Sequence, residues 1–85
     1  MTPCEIRFTK EAVKDFHKLT PRLREKLREI LVNAIAPDPQ CGKRLVGDLA
    51  GFFSVRLSFK DRIVYSLDEK KRIVFVHRVR THYGQ

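Results

Sequence analysis

Near its C-terminal end the chain reads His77-Arg78-Val79-Arg80-Thr81-His82-Tyr83-Gly84-Gln85, which sets two proton-transfer side chains, His82 and Tyr83, beside arginines. An imidazole gives or takes a proton near neutral pH and so suits general acid–base work. Neighbouring arginines disfavour its charged form, whereas a bound phosphate favours it. Two more arginines, Arg56 and Arg62, flank a short stretch upstream. A guanidinium is a planar fork that pairs bidentately with phosphate. Together these are the groups needed to hold a phosphodiester and move a proton on it. A His-Tyr pair taken alone is a weak signal, as readily tail composition as chemistry.

Something has to carry these side chains. Hydrophobic residues make up 42% of the 85 residues and charged ones 33%, with 4 Gly and 4 Pro. That is a globular composition, and residues 1–85 read as a single domain with one modest core. Glu5–Thr9 alternates about Ile6 and Phe8, as a strand does. Thr9 is placed to cap a helix reaching about Leu19, with Ala12, Val13, Phe16 and Leu19 as its apolar stripe. Thr20-Pro21 restarts a helix, because proline at the first helical position loses no hydrogen bond. Leu23, Leu27, Ile30, Leu31 and Ala34 line its apolar face, and Pro37-Asp38-Pro39 stops it after about Ala36. From Phe53 the period changes to two. Strands are expected over Phe53–Phe59, Arg62–Leu67 and Arg72–Arg80, joined by turns at Lys60-Asp61 and Asp68–Lys71. The order β-α-α-β-β-β implies an α+β fold, with two N-terminal helices packed on one face of a small antiparallel sheet.

Alternation then sorts the strand residues. Phe53, Val55, Leu57, Phe59, Ile63, Tyr65, Leu67, Ile73 and Phe75 should face the helices. The opposite face should carry Ser54, Arg56, Ser58, Arg62, Ser66, Val74, Val76, Arg78 and Arg80, with His82 following if the strand runs on. Four arginines and no carboxylate on one sheet face repel one another unless an anion binds there. The competing reading is a solvated face whose arginine stems cover Val74 and Val76. His77 has the opposite parity and His17 lies on a helix, so both read as structural.

The charge balance points the same way. Lys and Arg number 18 against 10 Asp and Glu, a formal net charge of +8. A small basic domain suits a polyanionic partner: nucleic acid, an acidic protein or a membrane surface. Cys4 and Cys41 form neither a disulfide framework nor the spacing of a zinc site, so no metal or other cofactor is expected. No apolar run approaches the roughly 20 residues that cross a bilayer. The start of the sequence has no signal-peptide pattern, and the expected location is cytoplasmic with reduced thiols.

Four stretches then become recognisable: Gly42-Lys43-Arg44-Leu45, Leu49-Ala50-Gly51-Phe52-Phe53-Ser54-Val55-Arg56-Leu57, Asp61-Arg62-Ile63-Val64-Tyr65 and the terminal His82-Tyr83. Together they resemble the RelE/YoeB toxins of the RelE/ParE superfamily, over nearly the whole chain. The His-Tyr end is closer to the YoeB branch and the helical half closer to RelE. The resemblance implies the toxin of a type II toxin–antitoxin system, an mRNA interferase blocked by a cognate antitoxin. Its targets would be mRNA and, through the ribosome, ribosomal RNA. By the same resemblance Arg56 contacts the scissile phosphate and Arg62 stabilises charge on it. His82 is the general acid, and Tyr83 stacks on or orients a base. YoeB-like members carry a glutamate as general base, and an ungapped count places Lys43 at that position. RelE-like members use lysines instead, so the identity of the base stays open.

The implied reaction is metal-independent transesterification. The ribose 2′-OH attacks the adjacent phosphorus, giving a 2′,3′-cyclic phosphate and a 5′-OH, with selectivity for RNA built in. Lys43, Arg44, Arg78 and Arg80 would hold flanking phosphates. Two alternatives stand beside this reading. One is a ParE-like toxin of the same fold acting on DNA gyrase, against which the His-Tyr end argues. The other is a basic module that binds RNA or a partner without catalysis.

Overall fold

The computed structural model describes residues 3–80, the side chain of Arg80 excepted. The first strand, β1 (Glu5–Phe8), leads directly into α1 (Lys10–Lys18). Thr9 makes that junction sharp. Its hydroxyl accepts from the Ala12 N–H at 3.2 Å and donates to the His77 carbonyl at 3.2 Å, while its own N–H reaches the Val76 carbonyl at 3.0 Å. One residue thus caps the helix and continues the edge of the sheet. Thr20 repeats the cap for α2 (Pro21–Ile30), accepting from the Leu23 N–H at 3.3 Å.

Beyond Ile30 the chain stays helical but widens, with Ala36 N–H bonding the Leu31 carbonyl at 2.8 Å across Leu31–Ile35. This π-type turn advances the buried stripe by one residue. Ile35 is buried where the uninterrupted pattern pointed to Ala34, which is exposed.

The sheet has five strands in the order β1-β5-β4-β3-β2, adding β2 (Lys43–Arg44), β3 (Phe52–Arg56), β4 (Arg62–Asp68) and β5 (Ile73–Arg80). The expected β-α-α-β-β-β order holds, with the short β2 added. β1 runs parallel to its neighbour β5 and the other pairs are antiparallel. Phe53, Leu57, Ile63, Tyr65, Val74, Val76 and Val79 meet Leu27, Leu31 and Ile35 in one core. A fully buried aliphatic side chain contributes about 1.5–3 kcal/mol, so this layer is what holds helices and sheet together.

Two expectations about facing are corrected. Phe59 is 91% exposed instead of facing the helices. β3 stops at Arg56, and Ser58 and Asp61 close a tight turn: the Ser58 hydroxyl donates to the Asp61 carboxylate at 2.8 Å and accepts its N–H at 3.1 Å. Phe59 sits at the outside of that turn. The second correction concerns β5. Leu67 pairs with Val74 and Tyr65 with Val76, yet Val64 pairs with Arg78 and Ile63 with Val79. His77 is therefore an extra residue, a β-bulge that reverses the alternation midway along the strand. Val74 and Val76 face the helices, and Ile73 and Phe75 face away, the reverse of the single-parity reading. After the bulge Val79 faces the core, while Arg78 belongs to the outward face as expected.

Tyr65 fixes the loop that delivers β2. Its ring is fully buried and stacks on Phe53 at 5.3 Å between centroids. Its hydroxyl donates to the Pro39 carbonyl at 2.8 Å and accepts the Gly42 N–H at 3.1 Å. Burial pushes the phenol well above its ordinary range, so it stays a donor at any working pH. A Cβ at Gly42 would lie 2.6 Å from that oxygen, so the close approach requires glycine.

Candidate nucleic-acid interface

Leu27, Leu31 and Ile35 of the helical segment pack on the inner face of the sheet, and the residues of the outward face fall into cross-strand rungs. At one end Arg56 pairs with Arg62, and Arg62 with Arg80. Arg56 and Arg62 are exposed, and among the described residues neither has an acidic partner. The like charges of Arg56 and Arg62 in cross-strand register are destabilising by themselves.

The next rung is Lys43, Ser54, Val64 and Arg78. Its middle is low and small. Ser54 is 5% exposed, and its Oγ is buried without a hydrogen-bond partner among the described residues. An orphaned hydroxyl of this kind usually costs about 1–3 kcal/mol. At its end Arg78 bends toward α1. Its Nε and Nη2 donate to the two oxygens of Asp15 at 2.9 and 3.4 Å, and Asp15 also accepts the Val79 N–H at 3.0 Å. β1 has ended by this point, so the Asp15 side chain supplies the acceptor that a longer edge strand would have offered. The carboxylate is buried because each oxygen is bonded.

The third rung is aromatic. Phe52 and Phe75 flank Ser66, and the bulge throws the His77 ring across the strand. His77 Nε2 and Ser66 Oγ are 2.8 Å apart, and the imidazole meets the Phe52 ring at 4.7 Å, tilted by 52°. Partial burial lowers the His77 pKa from its ordinary value of 6.5, which favours the neutral ring. Basic, small and aromatic rungs in sequence make a surface suited to a single-stranded polyanion with planar bases.

That surface rests on a chain whose sequence matches, over residues 6–84, the ParE-like toxin of type II bacterial toxin–antitoxin systems. The chain belongs to this toxin family. It is 36% identical over 78 residues to toxin RelG of Mycobacterium tuberculosis, covering 91% of this chain and 88% of the relative. The M. tuberculosis toxin–antitoxin complex RelBE2 superposes with a TM-score of 0.85 at 35% identity, over 96% of this chain and 94% of that one. A YoeB/ParE toxin from Agrobacterium tumefaciens superposes with a TM-score of 0.83 at 26% identity, over 93% of this chain and 99% of that one. The resemblance read from the sequence motifs is thereby borne out at the level of family and fold.

The toxin brings together only part of the set expected from sequence. Arg56, Arg62 and the Arg80 backbone share a rung, and Lys43 stands on the same face beside Ser54. Arg44, expected with Lys43, alternates to the other side. It lies opposite Phe53 with its guanidinium 5.7 Å from that ring, and one nitrogen donates to Gln40 at 3.4 Å. Arg78, expected as a free phosphate ligand, is half-buried and paired with Asp15, so the expectation of a face without carboxylates is corrected too. His82 and Tyr83 lie outside the described residues. His77, read as structural, stands on the site face. The clue in the sequence is that β-branched residues occupy both parities of Ile73–Val79, which no regular two-sided strand needs. No group of His, Cys, Asp and Glu among the described residues is arranged to hold a metal ion.

Proposed function

We propose that this toxin is an endoribonuclease that cleaves mRNA, on the ribosome, by attack of a ribose 2′-OH on the adjacent phosphorus. The products are a 2′,3′-cyclic phosphate and a 5′-OH. The observation that carries this reading is the Arg56–Arg62 couple on the outward sheet face, without an acidic partner among the described residues. The repulsion within that rung is relieved by a phosphate, most of all in the transition state, where negative charge is greatest. Arg56 and Arg62 hold the scissile phosphate and stabilise that charge. His82 protonates the leaving 5′-oxygen, and Tyr83 orients a base. Lys43 and Arg80 bind flanking phosphates, and Lys43 remains a candidate for the base or for electrostatic support. Arg78 acts through Asp15 on the shape of β5, and Arg44 stands apart from the RNA.

The cognate antitoxin completes the reading, since RelBE2 is itself a toxin–antitoxin complex. A cleft of about 540 Å³ lies beside β1, walled by Ile6, Phe8, Val13, Phe16, Leu31 and Val32, with His17 and Arg28 at its rim. An amphipathic antitoxin helix with acidic flanks suits an apolar floor and a basic rim.

The test is purified toxin added to mRNA under translation, with the new ends identified chemically. Wild type yields 5′-OH and cyclic phosphate ends without added metal, and folded His82→Ala loses most of the cleavage. Intact mRNA together with inhibited supercoiling by DNA gyrase would replace this reading with the ParE-like one.

A further inference from the structure

We infer that Phe52, His77 and Phe75 form a stacking shelf for a nucleobase of the bound RNA, and that His77 is a positioning residue there. The inference rests on the ribonuclease reading for the identity of the polyanion, but its geometry is separate from the arginine rung. Arg62 and Ser66 are four residues apart on β4, roughly 13 Å at the rise of a strand. The shelf therefore takes a base flanking the cleaved bond rather than the phosphate itself.

Three observations converge on it. Phe52, Phe75 and His77 are only half-buried, on the outward face of the sheet. Soluble domains ordinarily turn such rings inward, and a cluster left outward marks a contact surface. Next, the imidazole is fixed rather than free. Ser66 takes Nε2, the Phe52 ring supports one side, and Thr9 anchors the His77 carbonyl. Nδ1 has no bonding partner among the described residues and is left for a base edge. Finally, the floor between shelf and arginines holds the Ser54 hydroxyl, a polar group with no hydrogen-bond partner among the described residues, along the same line. Aromatic faces accept any base, so the shelf positions the strand with little sequence preference.

The chain has no tryptophan, so Phe52→Trp places a single indole reporter on the shelf. The probe is a short 2′-O-methyl oligoribonucleotide, which lacks the attacking hydroxyl and cannot be cut. Its abasic counterpart is the control. The intact oligomer should quench the indole, while the abasic one binds through its phosphates without quenching. In the otherwise unaltered protein, His77→Ala should weaken binding of the intact oligomer about tenfold, and His77→Phe should restore most of it. Thermal unfolding of each variant separates a lost shelf from a lost fold. Equal quenching by the abasic oligomer, or wild-type binding by folded His77→Ala, would overturn the shelf. Because the probe is uncleavable, quenching by bases in a protein that cuts no mRNA would fault the nuclease reading alone.

Discussion

The outward sheet face and the cleft beside β1 both meet solvent, yet they break opposite rules of a stable surface. On the sheet, arginines stand in register with nothing acidic opposite Arg56 or Arg62. In the cleft, Val13 and Val32 are 41% and 58% exposed over an apolar floor. The first surface is strained by charge and awaits an anion. The second lacks cover and awaits an apolar partner. One small domain thus keeps a charged surface and an apolar one apart by chemistry as well as by position. α1 borders both, giving Val13 and Phe16 to the cleft and Asp15 to the Arg78 end of the sheet.

The strongest way to break this contrast is Arg62→Ala. Cleavage should fall by about 10²–10³-fold, the range for removing one transition-state donor. Stability should hold or rise slightly, because a like-charge contact disappears. Parallel cleavage rates and urea unfolding decide the matter, and a marked loss of stability would make Arg62 a structural residue. Asp15→Ala tests the shared border. It strands the Val79 N–H and releases Arg78, so unfolding free energy should drop by about 2–3 kcal/mol. Arg78→Ala leaves the backbone bond intact and should lower it by less. Equal losses would mean that the ion pair, not the β5 edge, is what Asp15 serves.

Val32→Glu sharpens the other side. A charge in the apolar cleft should weaken antitoxin binding by about tenfold or more, read by calorimetry, with cleavage of translated mRNA by the antitoxin-free toxin unchanged. Wild-type antitoxin affinity would move the docking site elsewhere. The smallest effect concerns pH. The folded pKa of His77 lies below its ordinary 6.5, so the unfolded chain takes up the proton first. Stability from the neutral ring is complete above pH 6.5 and is lost as pH falls toward the folded pKa. Stability of wild type minus that of His77→Phe should therefore decline on acidification from neutrality. A difference that is flat with pH would remove the partly buried neutral imidazole as its cause.

What could be read in advance was what local chemistry determines. Thr9 and Thr20-Pro21 announce their caps by residue type alone, and both helices begin there. Alternation in β3 and β4 sorts Phe53, Ile63 and Tyr65 correctly, because those strands pair regularly where these residues sit. Arg56 and Arg62 come out as neighbours for the same reason. The failures need distant partners. Nothing local to Asp15 says that its acceptor will replace a missing strand edge for Val79, 64 residues away. Likewise the bulge at His77 is a compromise between Val76 and Val79, both of which must reach the core. A single-parity pattern can satisfy only one of them. β2 escaped notice because two residues are too few to show a period.

The bulge also makes His77 the one residue of β5 that the ladder does not need. Deleting its codon would place Arg78 directly after Val76, still opposite Val64, with Val79 still opposite Ile63. Regular alternation would be restored with the core and Arg78 on their present faces. Were His77 instead to pair with Val64 in ordinary register, Arg78 would turn toward the helices and Val79 toward solvent. The extra residue thus adds an imidazole to the outward face without altering what lies beyond it.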